Sequence, residues 1–228
     1  ADRVFLFKRA VRETALRHNV FATFMSRPMA KEPGSAMHIH QSIVRLDDDV
    51  NIFSRADGSD TDAFMHYIGG LQKYVPLLIA LFAPNVNAYR RFTREISAPI
   101  SLQWGYDNRT TGFRVPVSDA RARRVENRFA GADANPYLAI AASLVAGYLG
   151  MQQKLVPTAP CPGNAYEEEI TVARSLEEAL RYIDEDDAVV DILGQQFIRA
   201  YRSVKLAEYD AFNRTISSWE REHLLLNV

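Results

Sequence analysis

The sequence predicts an α+β fold, with one curved antiparallel sheet packed by helices. Strand-like pieces fall in the first and middle parts of the chain, and helical periodicity fills both ends. No internal repeat, low-complexity tract or strong linker divides the 228 residues. At roughly 100–200 residues per domain that is one large domain or two small ones, ample for a core, and the missing linker favours a single unit over 1–228.

Residues 2–18 place apolar side chains near positions 4, 7, 11 and 15, a helical stripe that Asn19 stops. Val20 to Met25 is short, β-branched and aromatic, and reads as a strand ended by Pro28. After the turn Lys31–Ser35, Ala36 to Leu46 alternates as a strand, followed by a polar, hairpin-like loop rich in Asp. Asp62 to Phe82 is a long helical segment interrupted at Pro76, and Pro84 to Pro99 is irregular. Strand-like pieces at 100–106 and 111–115 flank Asp107-Asn-Arg109 as a hairpin, and a third covers 124–129. Asn135-Pro136 starts an Ala-rich helix to Met151, with the asparagine as cap and the proline in the first turn. Pro157 to Gly163 is a proline-rich crossing, Ser175-Leu-Glu-Glu178 has a capping-box pattern, and Gln195 to about Glu222 reads as one long charged helix.

Composition narrows the function classes. With 27 Lys+Arg against 28 Asp+Glu the net charge is −1, which argues against a general nucleic-acid binder, and 11% aromatics argues against disorder. No run of 18 apolar residues occurs and the start lacks the layout of a signal peptide, so the expectation is a cytoplasmic chain without a membrane partner. One cysteine, Cys161, excludes an internal disulfide framework and any multi-cysteine zinc site.

The basic residues are lopsided: 22 are Arg and five are Lys. Nine of the Arg lie between Arg90 and Arg128, a stretch with only four acids (Glu95, Asp107, Asp119, Glu126). Arg presents a planar fork that binds carboxylates and phosphates bidentately. A solvated face with scattered ion pairs is the bland alternative, but these Arg alternate with Trp104, Tyr106, Phe113, Val115 and Phe129, which points to partly buried walls around an anion. Arg90, Arg94 and Arg123 read as surface or structural.

Two further patterns carry chemistry. In Gly34-Ser-Ala-Met-His38-Ile-His40-Gln-Ser42 a strand would put His38, His40 and Ser42 on one face. That is either a hydrogen-bonded histidine pair or part of a metal site. In Arg124-Val-Glu126-Asn-Arg128 a carboxylate sits between two guanidiniums on one face, as an ion-pair ladder or as an acid kept ionised for a hard cation. Arg109 and Arg114, with Arg90-Arg91 upstream, resemble an apparatus that neutralises a transferring phosphoryl group, and no Walker loop is present.

These segments, with Ala22-Thr-Phe-Met25, Asn87-Ala-Tyr-Arg-Arg91, Arg114-Val-Pro116 and Ala134-Asn-Pro-Tyr137, occur in the order and spacing of the glutamine synthetase family, which the chain resembles over essentially its whole length. Trp219-Glu-Arg-Glu222 looks similar too. The resemblance implies the C-terminal part of that family's catalytic domain, without the N-terminal β-grasp domain and first strands, in a homo-oligomer of stacked rings. It implies a Mg²⁺ or Mn²⁺ site at His38 and Glu126, and ATP contacts at His40, Ser42, Arg109, Arg114, Arg121 and Arg124. It implies amino-acid contacts at Gly34, Arg91, Arg109 and Arg128, with Arg109 as the catalytic group that bridges ATP and glutamate. The family phosphorylates the γ-carboxylate of glutamate, and an amine then displaces the phosphate.

Three departures shape the expectation. Ser97 precedes Ala98-Pro99 where ammonium-using members carry a glutamate, which implies either a different amine or a shifted loop in which Glu95, two residues earlier, substitutes. Pro33 replaces an asparagine of the glutamate-binding turn, and Arg121 stands where the family often has Lys. Trp104-Gly-Tyr-Asp-Asn-Arg-Thr-Thr111 and Gly131-Ala-Asp-Ala-Asn-Pro136 look like the branch that joins glutamate to polyamines such as putrescine. The expected activity is therefore a glutamate–polyamine ligase, with an ordinary glutamine synthetase or a non-catalytic structural relative as alternatives and a guanidino kinase a distant third. These residues alone are expected to be an inactive fragment. Tyr166 lies where some members carry a nucleotidylated tyrosine, and is expected to be an exposed loop residue.

Overall fold

The computed structural model of the chain describes residues 1–94 and 97–228. Its α+β architecture is the one the element order predicts, with seven α-helices and an open four-stranded sheet among the described residues. The helices are α1 (Asp2–Arg17), α2 (Asp62–Phe82), α3 (Pro136–Gln152), α4 (Leu176–Tyr182), α5 (Asp187–Leu193), α6 (Gln195–Asn213) and α7 (Ser218–Leu224). The strands are β1 (Ile39–Gln41), β2 (Trp104–Tyr106), β3 (Phe113–Val115) and β4 (Val125–Asn127), in the order β1-β4-β3-β2.

β4 pairs antiparallel with β1 and β3, but β2 and β3 run parallel, so the expected hairpin around Asp107-Asn-Arg109 is absent. Parallel neighbours ordinarily need a long crossover. These strands have three residues each, so the loop between Tyr106 and Phe113 can carry the chain back to the level of Trp104. Asp107 makes the turn at φ 47, and Asn108 Oδ1 accepts the Thr110 N–H at 3.0 Å.

α2 and α3 form the layer behind the sheet. Pro76 does not interrupt α2. A proline inside a helix costs about 3 kcal/mol, whereas burying each of Leu78, Ile79 and Phe82 beyond it contributes about 1.5–3 kcal/mol, so packing prevails. The two helices touch through glycines. A Cβ on Gly70 would lie 2.2 Å from the Ala146 carbonyl oxygen, and one on Gly147 2.0 Å from the Tyr67 ring. Two polar pegs fix the sheet on this layer: the Tyr67 hydroxyl donates to Gln41 Oε1 (2.7 Å), and Asn127 Nδ2 donates to Ser143 Oγ (2.9 Å). Ile39, Gln41, Val125 and Asn127 thus face the helices, and the residues between them face away.

Elsewhere tertiary context overrides local pattern. Residues 20–25 form no strand, since no neighbouring strand is available to them among the described residues. The expected strand Ala36–Leu46 shrinks to β1 plus single bridges at Ala36–Gly131 and Val44–Asn51. The C-terminal helix is two: Thr215 and Ile216 break it, and the Ser217–Glu220 capping box starts α7. At Ser175 only half of the box forms, because Glu178 Oε2 takes the Arg174 N–H instead. α5 has no periodic signal of its own; Gly194, at φ 85, ends it and opens α6, a backbone angle that favours glycine.

The glycine contact is testable. Gly70→Ala and Gly147→Ala should each lower stability by about 1–3 kcal/mol, read as a shift in the urea midpoint. Gly163→Ala, whose methyl would meet nothing within 4 Å, should stay within about 0.5 kcal/mol. Equal midpoints for all three would sink the account of the helix layer.

Candidate active site

The outward face of the sheet carries one transverse row. His40 pairs with Glu126 across β1–β4, Glu126 with Arg114 across β4–β3, and Arg114 with Gly105 across β3–β2. Residues directly opposite on neighbouring strands share a face, so register alone brings an imidazole, a carboxylate and a guanidinium together. His38, two residues before His40, projects to the same face and its Nδ1 lies 2.7 Å from Glu126 Oε1.

Glu126 is the hub. Its side chain is 3% exposed, and it receives Arg114 Nη1 at 3.0 Å on Oε2 and Arg128 Nη1 at 3.1 Å on Oε1. Burial pushes its carboxyl upward, but the bonds from His38 and Arg114 and the Arg128 charge outweigh that and hold it down at about 2. Arg114 is itself bracketed, since its other edge binds Asp107 through Nε (3.1 Å) and Nη2. His40 stands 3.8 Å from Glu126 through Nε2, and Arg124 Nε donates to its Nδ1 at 3.2 Å. Arginine can only donate, so Nδ1 accepts and the ring is neutral; burial chiefly lowers its pKa, opposed by Glu126 and aided by Arg124.

His38, Arg114, Glu126 and Arg128 line a cleft of about 550 Å³ with Ser97, Arg109, Thr110 and Tyr166. Arg109 is exposed, makes no ion pair among the described residues, and also borders an adjoining cleft of about 660 Å³ beside Asp107 and Cys161. Of the expected site residues, the structure thus gathers His38, Arg109, Arg114, Glu126 and Arg128 in one cleft; His40, next to Glu126, and Arg124, bonded to His40, are not part of its lining. Ser42 lies exposed past the end of β1. Arg121 lines a separate cleft of about 370 Å³ with Asp48 and Arg55. Gly34 and Arg91 sit together outside the cleft lining: Arg91 is 2% exposed, donates to the Phe129 carbonyl (3.0 Å), and a Cβ on Gly34 would fall 2.7 Å from its Cγ.

Sequence reasoning missed several residues here. Tyr166 is half-buried in the cleft wall, contrary to the exposed loop position expected of it. Its turn is pinned by Thr110 Oγ1, which accepts the Ala165 N–H at 2.8 Å, and by Arg94, which donates to the Tyr166 carbonyl. Arg94 is therefore structural, as is Arg123, which pairs with Asp60 at 2.9 Å. Asp107 gave no signal, because its partner lies on a strand whose direction the local pattern misjudged. Glu95, which in the shifted-loop alternative replaces an ammonium-site glutamate, lies outside the described residues.

A divalent cation can be weighed against this donor set. His38 and Glu126 supply one nitrogen and one carboxylate, a mixture compatible with Mg²⁺ or Mn²⁺. No group of three or more His, Cys, Asp or Glu suited to a metal occurs among the described residues. The pair therefore fits one edge of a coordination sphere, whose other donors would come from beyond these residues.

Comparison with known proteins decides the lineage. The family model for the catalytic domain of glutamine synthetase matches residues 1–224. The chain belongs to the glutamine synthetase family. It is 38% identical over 229 residues to the gamma-glutamylputrescine synthetase of Escherichia coli (strain K12), covering 100% of this chain and 48% of that protein. It is 35% identical to a glutamate–isopropylamine ligase of a Pseudomonas species, covering 96% and 49%, and 35% identical to a glutamine synthetase of Thermococcus kodakarensis, covering 96% and 50%. Among solved structures, apo GmaS without ligand superposes with a TM-score of 0.87 at 31% identity, over 99% of this chain and 53% of that one. The chain thus spans about half the length of the curated relatives it matches. Members of this glutamine synthetase family are glutamate–amine ligases.

If Glu126 is the shared counter-ion of Arg114 and the buried Arg128, Glu126→Gln should lower stability by about 3–5 kcal/mol in urea, because it leaves Arg128 without its carboxylate and Arg114 with Asp107 alone. The carboxyl is depressed on folding, so this difference should be full above pH 4.5 and shrink as pH falls toward 2. A Gln variant as stable as the parent at pH 7 would refute the hub role.

Proposed function

We propose that the full-length protein is an ATP-dependent ligase that activates the γ-carboxylate of glutamate as an acyl phosphate and joins it to an amine, with a polyamine such as putrescine favoured. The observation that carries this reading is the cleft in which Arg109, Arg114 and Arg128 surround one anchored carboxylate beside His38. The 38% identity to a putrescine-using relative supports the choice of amine. Ser97 supports it too, since a neutral hydroxyl offers no anionic seat for ammonium.

The chemistry explains the charge. A carboxylate acylates poorly because oxide would have to leave. A γ-carboxylate oxygen attacks the terminal phosphorus of ATP and ADP departs; the amine nitrogen then attacks the acyl carbon, phosphate departs, and the amine gives up a proton. Bringing a carboxylate against a triphosphate demands fixed positive charge positioned in advance. Arg109, whose guanidinium is not engaged in an ion pair among the described residues, is assigned to the transferring phosphoryl group. Arg114 and Arg124 are assigned to the nucleotide with His40, Ser42 and Arg121, and Arg128, Arg91 and Gly34 to glutamate. His38 and Glu126 would hold Mg²⁺ or Mn²⁺, which would screen phosphate charge. In this reading the protein works in the cytoplasm as a homo-oligomer of stacked rings, and among the described residues no helix is long and apolar enough to cross a membrane.

The test is a product assay of the full-length protein with ATP, Mg²⁺ and glutamate, offering ammonium, putrescine, spermidine or ethanolamine in turn. Putrescine should give the highest kcat/KM, with γ-glutamyl amide and phosphate formed in equal amounts. Arg109→Ala should lower kcat by about 10²–10³. Ammonium outperforming every organic amine would replace the polyamine reading with an ordinary glutamine synthetase, and no acyl transfer to any amine would overturn the ligase reading itself.

A further inference from the structure

We infer that Asp133 is a positioning residue for amino-acid binding, acting through the two segments that carry Gly34 and Arg91; the inference rests on the assignment of those two residues to glutamate. Each carboxylate oxygen holds a different segment. Oδ1 accepts the Ser26 hydroxyl at 2.6 Å, and Oδ2 accepts Asn85 Nδ2 at 2.6 Å. From Ser26 the chain of bonds reaches Gly34, since the Ser26 carbonyl takes the Ser35 N–H at 2.7 Å and lies against the Gly34 Cα. From Asn85 it reaches Arg91: Asn85 Oδ1 accepts the N–H groups of Asn87 (3.1 Å) and Ala88 (3.2 Å), which open the 3₁₀ turn Ala88–Arg91.

The two segments are also tied to each other. Asn87 Oδ1 accepts the Arg27 N–H at 2.8 Å, and Asn87 Nδ2 donates to the Arg27 carbonyl at 2.9 Å. Gly131 is the floor of the arrangement. A Cβ there would lie 2.2 Å from Ser26 Oγ, 2.3 Å from Asp133 Oδ1 and 3.4 Å from Arg91 Nη1, so hydroxyl, carboxylate and guanidinium meet over a position that only glycine fits. Arg91 needs such a neighbour. Burial pulls its pKa down to about 10, the Asp133 charge opposes that, and the Arg128 charge adds to it.

The geometry separates two duties. Asp133 fixes where the Arg91 turn and the Gly34 backbone stand, and it keeps a negative charge beside a guanidinium that is 2% exposed. Neither duty touches the cleft residues Arg109, Arg114 or Thr110, so the loss should fall on glutamate and spare ATP. Asp133→Ala removes both duties. Asp133→Asn keeps an oxygen for Asn85 and can donate to Ser26 Oγ, so it removes chiefly the charge.

The experiment is steady-state kinetics on the full-length enzyme with its best amine. Asp133→Ala should raise KM for glutamate by about tenfold or more, with KM for ATP within about twofold and kcat within about threefold; Asp133→Asn should raise it by about threefold. If the alanine variant does not fold, Ser26→Ala and Asn85→Ala serve instead, each expected to raise KM for glutamate by about threefold and leave KM for ATP in place. Arg91→Ala is measured alongside. Unchanged KM for glutamate in the Asp133, Ser26 and Asn85 variants while Arg91→Ala raises it would overturn the positioning role and leave the glutamate assignment standing. Parallel changes in both KM values would mark a merely structural residue and also overturn it. No effect of Arg91→Ala on KM for glutamate would overturn the assignment, and this inference with it.

Discussion

Taking two arginines and a glutamate out of water costs several kcal/mol per ion unless each finds its partner. At the centre of this sheet the cost is met by placing the carboxylate of Glu126 where β1, β3 and β4 converge, so that His38, Arg114 and Arg128 all end on it. The consequence reaches beyond the site. A one-residue slip in either ladder would turn Glu126 toward the apolar layer and leave the guanidiniums unpaired. Strand register, sheet orientation and assembly of the cleft are therefore one constraint seen at three scales.

The opposite face of the sheet explains why three-residue strands suffice. Gln41 and Asn127 sit one residue away from His40 and Glu126, and each is pegged to a helix, by Tyr67 and Ser143 respectively. Tyr67 can hold its peg only because Gly147 makes room for its ring, and α2 and α3 approach closely enough only because Gly70 and Gly150 lack side chains. Precision at the polar face is thus inherited from backbone contact two layers below. This also accounts for the long apolar helix surviving Pro76: straightness at that point matters less than the buried residues that follow it.

Much of this was legible in the sequence, for identifiable reasons. The alternation His38-Ile-His40 and Arg124-Val-Glu126-Asn-Arg128 fixes faces without knowledge of partners, so the shared face of each set could be read directly. The α3 start at Asn135-Pro136 was legible because capping is local chemistry, and Asn135 Oδ1 does accept the Tyr137 N–H. What failed was non-local. Strand direction at β2–β3 depends on where a six-residue loop delivers the chain, and no residue in it encodes parallel over antiparallel. Val20–Met25 has strand composition and no strand neighbour. Asp107, Tyr166 and Asp133 act through partners between 7 and 107 residues away, or through cleft walls that only the folded chain defines. Arg91 and Arg128 look alike in the sequence as members of one cluster, yet one is buried outside the cleft lining and the other is part of it.

The charge balance of the cleft carries the last step. Three guanidiniums (Arg109, Arg114, Arg128) and one carboxylate (Glu126) line it, Asp107 lies in the adjoining cleft, and both carboxylates are already bound to arginine. Two of the three guanidiniums thus have their charge largely answered, and of the three only Arg109 makes no ion pair with the described residues. In the proposed reading a nucleoside triphosphate beside a substrate carboxylate would bring several negative charges into the same space, next to Glu126, whose carboxyl is held low. One unmatched guanidinium in the cleft lining does not neutralise that load. In the proposed reading a divalent cation at His38 and Glu126 would answer part of that deficit. On this balance the imidazole–carboxylate pair lies where added positive charge is most needed, and an anchored Glu126 is what keeps that place from being repelled out of the cleft by the phosphates it would help to hold.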